Sequence, residues 1–224
     1  MNIVQMLQTH AAWFDLLDAD QQARVVQGTT VATIPAGTII EHKGVVADAW
    51  IGVLDGLIKV SVGNAEGKLA SLTGVPGGGW IGEGSLLKHE ARKYDVVALR
   101  QSTIARLRGD QFYWLLDTSI PFNRYLLHQL NERVAQFIGK AEHDRLLAPE
   151  ARVARCLAEL FNPLLYPSDS MRLEITQEEI GYLARISRQR TNQALRALED
   201  AGLLKVEYGA VQVLDLEGLK AYGL

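Results

Sequence analysis

The sequence has little of what marks an exported, membrane-embedded or metal-clustered protein. Its single cysteine, Cys156, cannot form an internal disulfide and cannot by itself hold an iron–sulfur cluster or a cysteine zinc site. Its apolar runs fall far short of the ~20 residues that a bilayer-spanning helix needs. The first residues lack the basic start and the small-residue cleavage site of an export signal. We therefore expect a cytoplasmic protein with no membrane partner.

The sequence also lacks the excess of basic residues that is common among nucleic-acid-binding proteins. Its formal net charge is −3, from 23 Lys and Arg against 26 Asp and Glu. The location of charge matters more than the total, so any affinity for DNA would have to come from local basic clusters. The 224 residues are enough for one large or two modest domains with a proper core.

One basic cluster lies towards the C-terminus, in a stretch that predicts two helices. Thr176 and Glu179 form a capping box, which predicts a short helix beginning at the residue after Thr176. Ser187 is a second N-cap candidate and predicts a second helix from Arg188. Residues 180–198 contain no acid, but they contain four arginines: Arg185, Arg188, Arg190 and Arg196. The helix pair is thus expected to expose a basic surface.

The second predicted helix has an apolar face and a polar face. The expected buried stripe is Thr191, Ala194, Leu195 and Leu198. The opposite side carries guanidinium and amide groups, which can hydrogen-bond to base edges in the major groove. We expect DNA contacts from Thr176, Ser187, Arg188, Gln189, Arg190, Asn192, Gln193 and Arg196. Two helices joined by a tight turn, with such groups near the start of the second, are typical of a helix-turn-helix.

A basic helix face alone would be a weak signal, because any soluble helix can carry one. The paired caps, and the segment that follows the second helix, favour DNA reading. Ala201-Gly202 supplies a helix stop, and residues 203–207 and 210–214 alternate as two short strands around Tyr208-Gly209. This hairpin is the pattern of a β-wing.

The first half of the chain changes from a helical pattern to a strand pattern. Residues 2–27 carry apolar positions at helical spacing and predict two short helices. Beyond them, short β-branched or apolar runs alternate with turn residues, which indicates a β-sandwich or jelly roll. The predicted strands are residues 31–34, 38–41, 49–54, 57–62, 68–73, 96–99 and 104–107. The clearest hairpin turns are Asp55-Gly56 and residues 64–67.

A long helix is expected after the roll, with Pro121 in its first turn. Its apolar residues recur at spacings of three and four: Leu127, Leu130, Val134, Phe137 and Ala141. Such a seam can pair two helices, and a two-fold DNA reader needs a second recognition helix. The stripe could instead pack on the chain's own roll, and one helix can do both with different faces. We favour a homodimer.

These patterns predict an α+β fold in three parts. The expected domains are an effector-sensing jelly roll over residues 1–117, a dimerisation helix with its hinge over 118–147, and a winged helix-turn-helix over 148–224. The hinge is expected within residues 144–149, and a further helix over 150–161.

A glycine-rich loop inside the roll is the candidate effector site. It comprises Gly82, Glu83, Gly84 and Ser85, and it is followed by Arg92 and Lys93. A Gly-Glu-Gly turn lets the backbone approach a ligand closely, Glu83 can accept from ribose-like hydroxyls, and Arg92 can pair with a phosphate or carboxylate. A loop of this kind is more often an ordinary turn, and Glu83 and Arg92 could form an internal ion pair.

Taken together, the roll, the Gly-Glu-Gly-Ser-Leu-Leu loop with its following Arg, the long helix and the winged helix-turn-helix resemble the Crp/Fnr family of bacterial transcription regulators. The resemblance covers nearly the whole chain. It implies a roll that binds an effector, a helix that dimerises, and RNA polymerase as a partner. Gly82 and Glu83 match the family's phosphate-binding cassette, and Arg92 matches its phosphate-binding Arg. Ser187-Arg188-Gln189 matches the start of its recognition helix, commonly Ser-Arg-Glu.

Three departures from the family pattern weigh against cAMP as the effector. Lys93 stands where cAMP-binding members have Ser or Thr, and Phe137 and Ile138 stand where two small hydroxyl side chains face adenine. Each lost hydrogen bond should weaken adenine recognition by about 1 kcal/mol. We expect a small anionic effector, a cyclic nucleotide or another metabolite, bound near Glu83, Arg92 and Phe137. The cysteine cluster of Fnr-type oxygen sensors is missing.

Two other functions compete with an effector-gated regulator. A cupin-type enzyme would need a His-x-His pair with a Glu and a further His. The five histidines are instead scattered: His10, His42, His89, His128 and His143. A haem-based gas sensor of the same family would need an axial ligand, for which His89 is the candidate. We expect a regulator and not an enzyme.

Overall fold

The computed structural model describes residues 2–63, 69–168 and 170–223. At the N-terminus, helix α1 (Ile3–His10), a 3₁₀ turn (Phe14–Leu16) and helix α2 (Ala19–Gln27) precede the first strand. Both helices start at capping boxes, in which the side-chain oxygens of Asn2 and Asp18 accept from the backbone N–H three residues on. The two predicted short helices are therefore confirmed.

Within the described residues, eight strands form the predicted jelly roll. They are β1 (Thr29–Ile34), β2 (Ile39–Glu41), β3 (Ala49–Asp55), β4 (Leu57–Gly63), β5 (Leu69–Pro76), β6 (Trp80–Ile81), β7 (Asp95–Ala98) and β8 (Ser102–Arg108). One antiparallel sheet has the order β1-β8-β3-β6 and the other has the order β2-β7-β4-β5. The short strand β6 was not predicted. The predicted turn at residues 64–67 lies outside the described residues.

An aromatic cluster joins the N-terminal helices to the first of these sheets. Trp13, Trp50 and Trp80 are at most 1% exposed, and the ring centroids of Trp50 and Trp80 lie 4.7 Å apart. Phe112 and Phe122 pack against Trp50 edge-on. Aromatic rings bury large apolar areas and prefer such tilted arrangements. The cluster therefore packs β3 and β6 against each other beside the glycine-rich loop.

The long helix has two different faces. After helix α4 (Gly109–Thr118), helix α5 (Ile120–Leu146) starts as predicted, with Pro121 in its first turn. One face packs on the roll through Leu126 and Leu130. The other face exposes Leu127 and Val134, which keep 67% and 57% of their surface. Leu130, one of the five predicted seam residues, therefore packs partly on the chain's own roll, as the alternative interpretation of the stripe allowed.

The C-terminal part is a small mixed unit. It contains helix α6 (Pro149–Glu159), strand β9 (Arg172–Glu174), helices α7 (Gln177–Ala184) and α8 (Arg188–Asp200), strands β10 (Leu204–Glu207) and β11 (Ala210–Val213), and helix α9 (Leu216–Ala221). The sheet order is β10-β11-β9. Only residues 147 and 148 separate α5 from α6, so the break is shorter than the predicted hinge. Within the described ranges, no helix is long and apolar enough to cross a bilayer.

Candidate DNA-binding surface and sensor cassette

The helix-turn-helix forms where the caps predicted it. The Thr176 side chain accepts from the Glu179 N–H, and the Glu179 carboxylate accepts from the Thr176 N–H, so α7 begins at a complete capping box. Arg185 ends α7 in the left-handed conformation, with φ 55°. The Ser187 hydroxyl then accepts from the Arg190 N–H and starts α8. The left-handed residue makes the sharp turn between the helices.

Helix α8 has the two faces that its sequence predicted. Its buried side contains Thr191, Ala194, Leu195 and Leu198, each at most 1% exposed. Its exposed side contains Arg188, Gln189, Arg190, Gln193 and Arg196. Asn192 is half-buried, and its amide donates to Oε1 of Gln177 at 3.1 Å. Thr176 and Ser187 are exposed but are used as caps, so a phosphate contact would engage their free lone pairs or neighbouring N–H groups.

The β-wing follows α8 as predicted. Strands β10 and β11 pair in antiparallel register, with Leu204 opposite Val213 and Glu207 opposite Ala210. The turn between them holds Tyr208, whose side chain is fully exposed, and Gly209, at φ 70°. A glycine suits this turn because the positive φ is costly for residues with a Cβ.

The first helix of the helix-turn-helix is docked on the roll. Nη2 of Arg100 lies 2.6 Å from Oε2 of Glu179, and Nη1 lies 3.6 Å from Oε2 of Glu174. The Lys59 ammonium lies 5.2 Å from the ring centroid of Tyr182. Nε of Arg185 donates to the Ser71 carbonyl at 3.1 Å. These contacts join residues that are distant in sequence, so no local sequence pattern predicts any of them.

The glycine-rich loop of the roll is mainly helical. Gly82, at φ 98°, precedes helix α3 (Glu83–Leu87), so Glu83, Gly84 and Ser85 lie in the first turns of a helix and not in a Gly-Glu-Gly turn. Glu83 is 5% exposed, and its Oε2 accepts from Nε1 of Trp50 at 3.4 Å. Burial, with a further contribution from the Glu83 carboxylate, raises the pKa of the nearby Tyr94 hydroxyl to about 12. The carboxylate of Glu83 is therefore enclosed.

Arg92 is also enclosed, and it has an internal partner. It is 1% exposed; its Nε lies 2.8 Å from Oε2 of Glu41, and its Nη2 donates to the Ala49 carbonyl at 2.8 Å. The second oxygen of Glu41 pairs with Nη1 of Arg106. An internal ion pair of Arg92 thus exists, but its partner is Glu41 and not Glu83. Glu41 had not been singled out in the sequence.

The remaining predicted effector residues lie on the surface. The Lys93 ammonium is exposed and lies 3.2 Å from the Glu90 carboxylate. Phe137 and Ile138 lie on α5 with 40% and 65% of their surface exposed. The His89 ring stacks on Tyr113, with centroids 4.6 Å apart. Gly82, Glu83 and Arg92 therefore form one enclosed cluster, whereas Lys93 and Phe137 point to solvent-exposed parts of the molecule.

Metal ligation offers no second candidate in the described ranges. No three His, Cys, Asp or Glu side chains converge there to hold a metal ion. The buried thiol of Cys156 packs in the core of the C-terminal unit.

Comparisons with known proteins agree with this two-part architecture. The family model for the cyclic nucleotide-binding domain matches residues 31–119, and the model for the Crp-like helix-turn-helix domain matches residues 151–222. The chain belongs to the Crp/Fnr family of transcription regulators. It has the family's helix-turn-helix DNA-binding domain and its cyclic-nucleotide-binding-like domain.

Relatives in the Crp/Fnr family match most of the chain. The cAMP-activated global transcriptional regulator CRP of Pasteurella multocida is 26% identical over 174 residues, which cover 76% of this chain and 83% of that protein. The transcriptional regulator SdrP of Thermus thermophilus is 26% identical over 200 residues, which cover 88% and 95%. A crystal structure of a Crp/Fnr-family transcriptional regulator from Thermus thermophilus is 27% identical, with coverage of 85% and 96% and a TM-score of 0.58. These relatives are transcription regulators.

Proposed function

We propose that this chain forms a homodimer that reads a palindromic DNA site with the exposed side of α8. The observation that carries the proposal is the division of α8 into a fully buried stripe and an exposed row of Arg188, Gln189, Gln193 and Arg196. Arg can fork onto guanine, and Gln can bind adenine through two hydrogen bonds. Arg190, Asn192, Thr176 and Ser187 are the proposed positioning contacts, because short polar groups and helix N-termini suit phosphates.

The exposed stripe of α5 supports the dimer. Leu127, Val134 and Ile138 lie on one side of the helix and keep more than half of their surface exposed. A second copy of α5 would cover these residues in a coiled-coil seam. It would also supply the second recognition helix that a palindromic site requires. We place Leu127, Val134 and Ile138 at the centre of this seam.

Two further parts of the proposal rest on family membership. RNA polymerase is the proposed protein partner, and the cytoplasm is the proposed location, because a transcription regulator acts on DNA during transcription. The effector set Gly82, Glu83, Gly84, Ser85, Arg92, Lys93 and Phe137 stays a prediction. A ligand anion at Arg92 would have to compete with Glu41, which already holds that guanidinium.

The DNA contact is tested by Arg188→Ala on a site selected from random DNA. We expect the dissociation constant to rise roughly 10- to 100-fold, the range of a lost bidentate base contact. Lys220→Ala is the matched control, because it removes one exposed positive charge on α9, where Lys220 pairs with Glu217. That variant should bind like wild type. Equal affinity of Arg188→Ala and wild type on the best selected site would contradict the assignment of α8.

The dimer is tested by Leu127→Asp, because paired carboxylates in an apolar seam would repel one another. Analytical ultracentrifugation should show a dimer for wild type and a monomer for the variant. Leu164→Asp is the control, because Leu164 is 55% exposed but lies outside α5. A variant that stays dimeric at low concentration would place the interface elsewhere.

A further inference from the structure

In the jelly roll, the carboxylate of Glu41 lies against Arg92, the arginine of the phosphate-binding cassette. We propose that Glu41 substitutes internally for the anionic group of an effector, so that this regulator binds DNA without an anionic ligand. The DNA-binding part of this statement rests on the proposed function. The effect of Glu41 on thermal stability can be measured separately from DNA binding, so the two parts of the proposal can fail independently.

Glu41 occupies a position between the two sheets of the roll. It ends β2 in one sheet, is 6% exposed, and uses its two oxygens for two arginines. Arg106 comes from β8 of the opposite sheet, and Arg92 is bonded through Nη2 to the Ala49 carbonyl in the same opposite sheet. A carboxylate that engages two guanidinium groups through separate oxygens makes the contacts that a ligand phosphate would make. The chain therefore places an anion of its own against these two groups, while Nη1 of Arg92 has no hydrogen-bond partner among the described residues.

An anion that paired with Nε of Arg92 would meet Glu41. Oε2 of Glu41 already lies 2.8 Å from that nitrogen, so the anion would have to displace it. That displacement would leave a buried carboxylate without one of its counter-charges, which is unfavourable. The internal pair thus opposes an external anion at this place.

The strand that leads into the cassette is bonded directly to the long helix. From α5, Nε2 of Gln129 and Nη2 of Arg133 donate to the Trp80 carbonyl at 2.8 Å and 3.0 Å. Glu83 accepts from Trp50. An effector controls a conformation only through contacts that differ between two states. Here Gln129 and Arg133 join α5 to β6, the strand that leads into the cassette.

The first test is the thermal stability of the full-length protein. Glu41→Ala should lower the melting temperature by about 10 °C, because it strands Arg92 in a buried site. Sodium acetate or formate should restore much of this loss in a saturable way, since a small carboxylate can enter the space left by Glu41. Sodium chloride at equal ionic strength should not. A Glu41→Ala protein that folds only in acetate would also support the proposal.

One further variant tests whether the negative charge of Glu41 or the volume of its side chain matters, and a second variant is the control. Glu41→Gln fills the same space without charge, so it should lose stability and show no restoration by acetate. Glu90→Ala is the matched control, because Glu90 pairs with the exposed Lys88 and Lys93. It should melt near wild type. Melting of Glu41→Ala at the wild-type temperature would overturn the proposal, and so would a loss of stability that acetate and formate leave unchanged.

The second test is DNA binding by wild type on a selected palindrome, with and without millimolar cAMP. The dissociation constant should be the same in both conditions. An affinity gain of about tenfold or more with cAMP, within the usual range of allosteric coupling, would overturn the proposal. Failure to bind any selected site in either condition would contradict the proposed DNA-reading function. The acetate experiment would then still decide whether Glu41 fills the anion site.

Discussion

The contact between Arg100 and Glu179 is expected to hold the helix-turn-helix on the sensor roll. Arg100 lies in the turn before β8 and keeps 20% of its side chain exposed, whereas the Glu179 side chain keeps 10%. The same Glu179 oxygen accepts from the Thr176 N–H in the capping box of α7. Arg100→Ala would leave this carboxylate nearly buried without its counter-charge, while the backbone donor would remain.

The geometry sets the size of the effect. Removing one partner of a fully buried pair costs about 3–5 kcal/mol, and a single hydrogen bond to a charged group contributes about 1.5–3 kcal/mol. Because Arg100 is partly solvated and Glu179 retains the Thr176 N–H, we expect a loss near the lower range, about 2 kcal/mol. For a protein of this size, that loss lowers the melting temperature by about 4–8 °C. Scanning calorimetry measures the shift and shows whether one transition separates into two.

The control is Arg172→Ala. Arg172 also pairs with Glu174, but it is exposed and lies entirely within the C-terminal unit, where it contacts Glu207. Exposed pairs contribute little, so this variant should melt close to wild type. In DNA binding, Arg100→Ala should weaken binding to the palindrome more than binding to a single half-site, because docking orients the two recognition helices. An unchanged melting temperature and an unchanged palindrome affinity would refute the role of Arg100 in docking.

Two further predictions concern single side chains. Gln189→Glu should change the consensus site selected from random DNA, because Gln pairs with adenine whereas Glu accepts from the cytosine amino group. Identical consensus sequences for wild type and variant would refute this prediction. Burial lowers the pKa of His10 below its ordinary value, against an opposing effect of the Asp55 carboxylate. The unfolded chain therefore binds a proton more readily than the folded chain does. The free energy of unfolding should be at its full value above about pH 6.5 and should fall as the pH drops below that value. In urea titrations at different pH values, His10→Gln should lack this fall in the free energy of unfolding. A His10→Gln variant with the same pH profile as wild type would contradict the prediction.

The sequence predicted the features that depend on near neighbours. The capping box of Thr176 and Glu179 and the N-cap Ser187 place α7 and α8 at their observed first residues, because caps are satisfied within one turn. Strand β6 was missed because two residues carry no periodicity. Arg100 was missed because its partners lie in another domain, and no local pattern marks an arginine as an interdomain contact.

Glu41 shows why the candidate site could not be completed from the sequence. Strict alternation along β2 would give Ile39 and Glu41 the same environment, yet Ile39 is 43% exposed and Glu41 is 6% exposed. The pairing of β2 with β7 is irregular between these two residues, and such a bulge re-aims the side chain that follows it. A carboxylate turned inward is tolerated only because Arg92 and Arg106 neutralise it there. A roll that retained Arg92 but lost the acid at position 41 would need an external anion in its place. Position 41 is therefore where a self-contained roll and a ligand-dependent roll would differ.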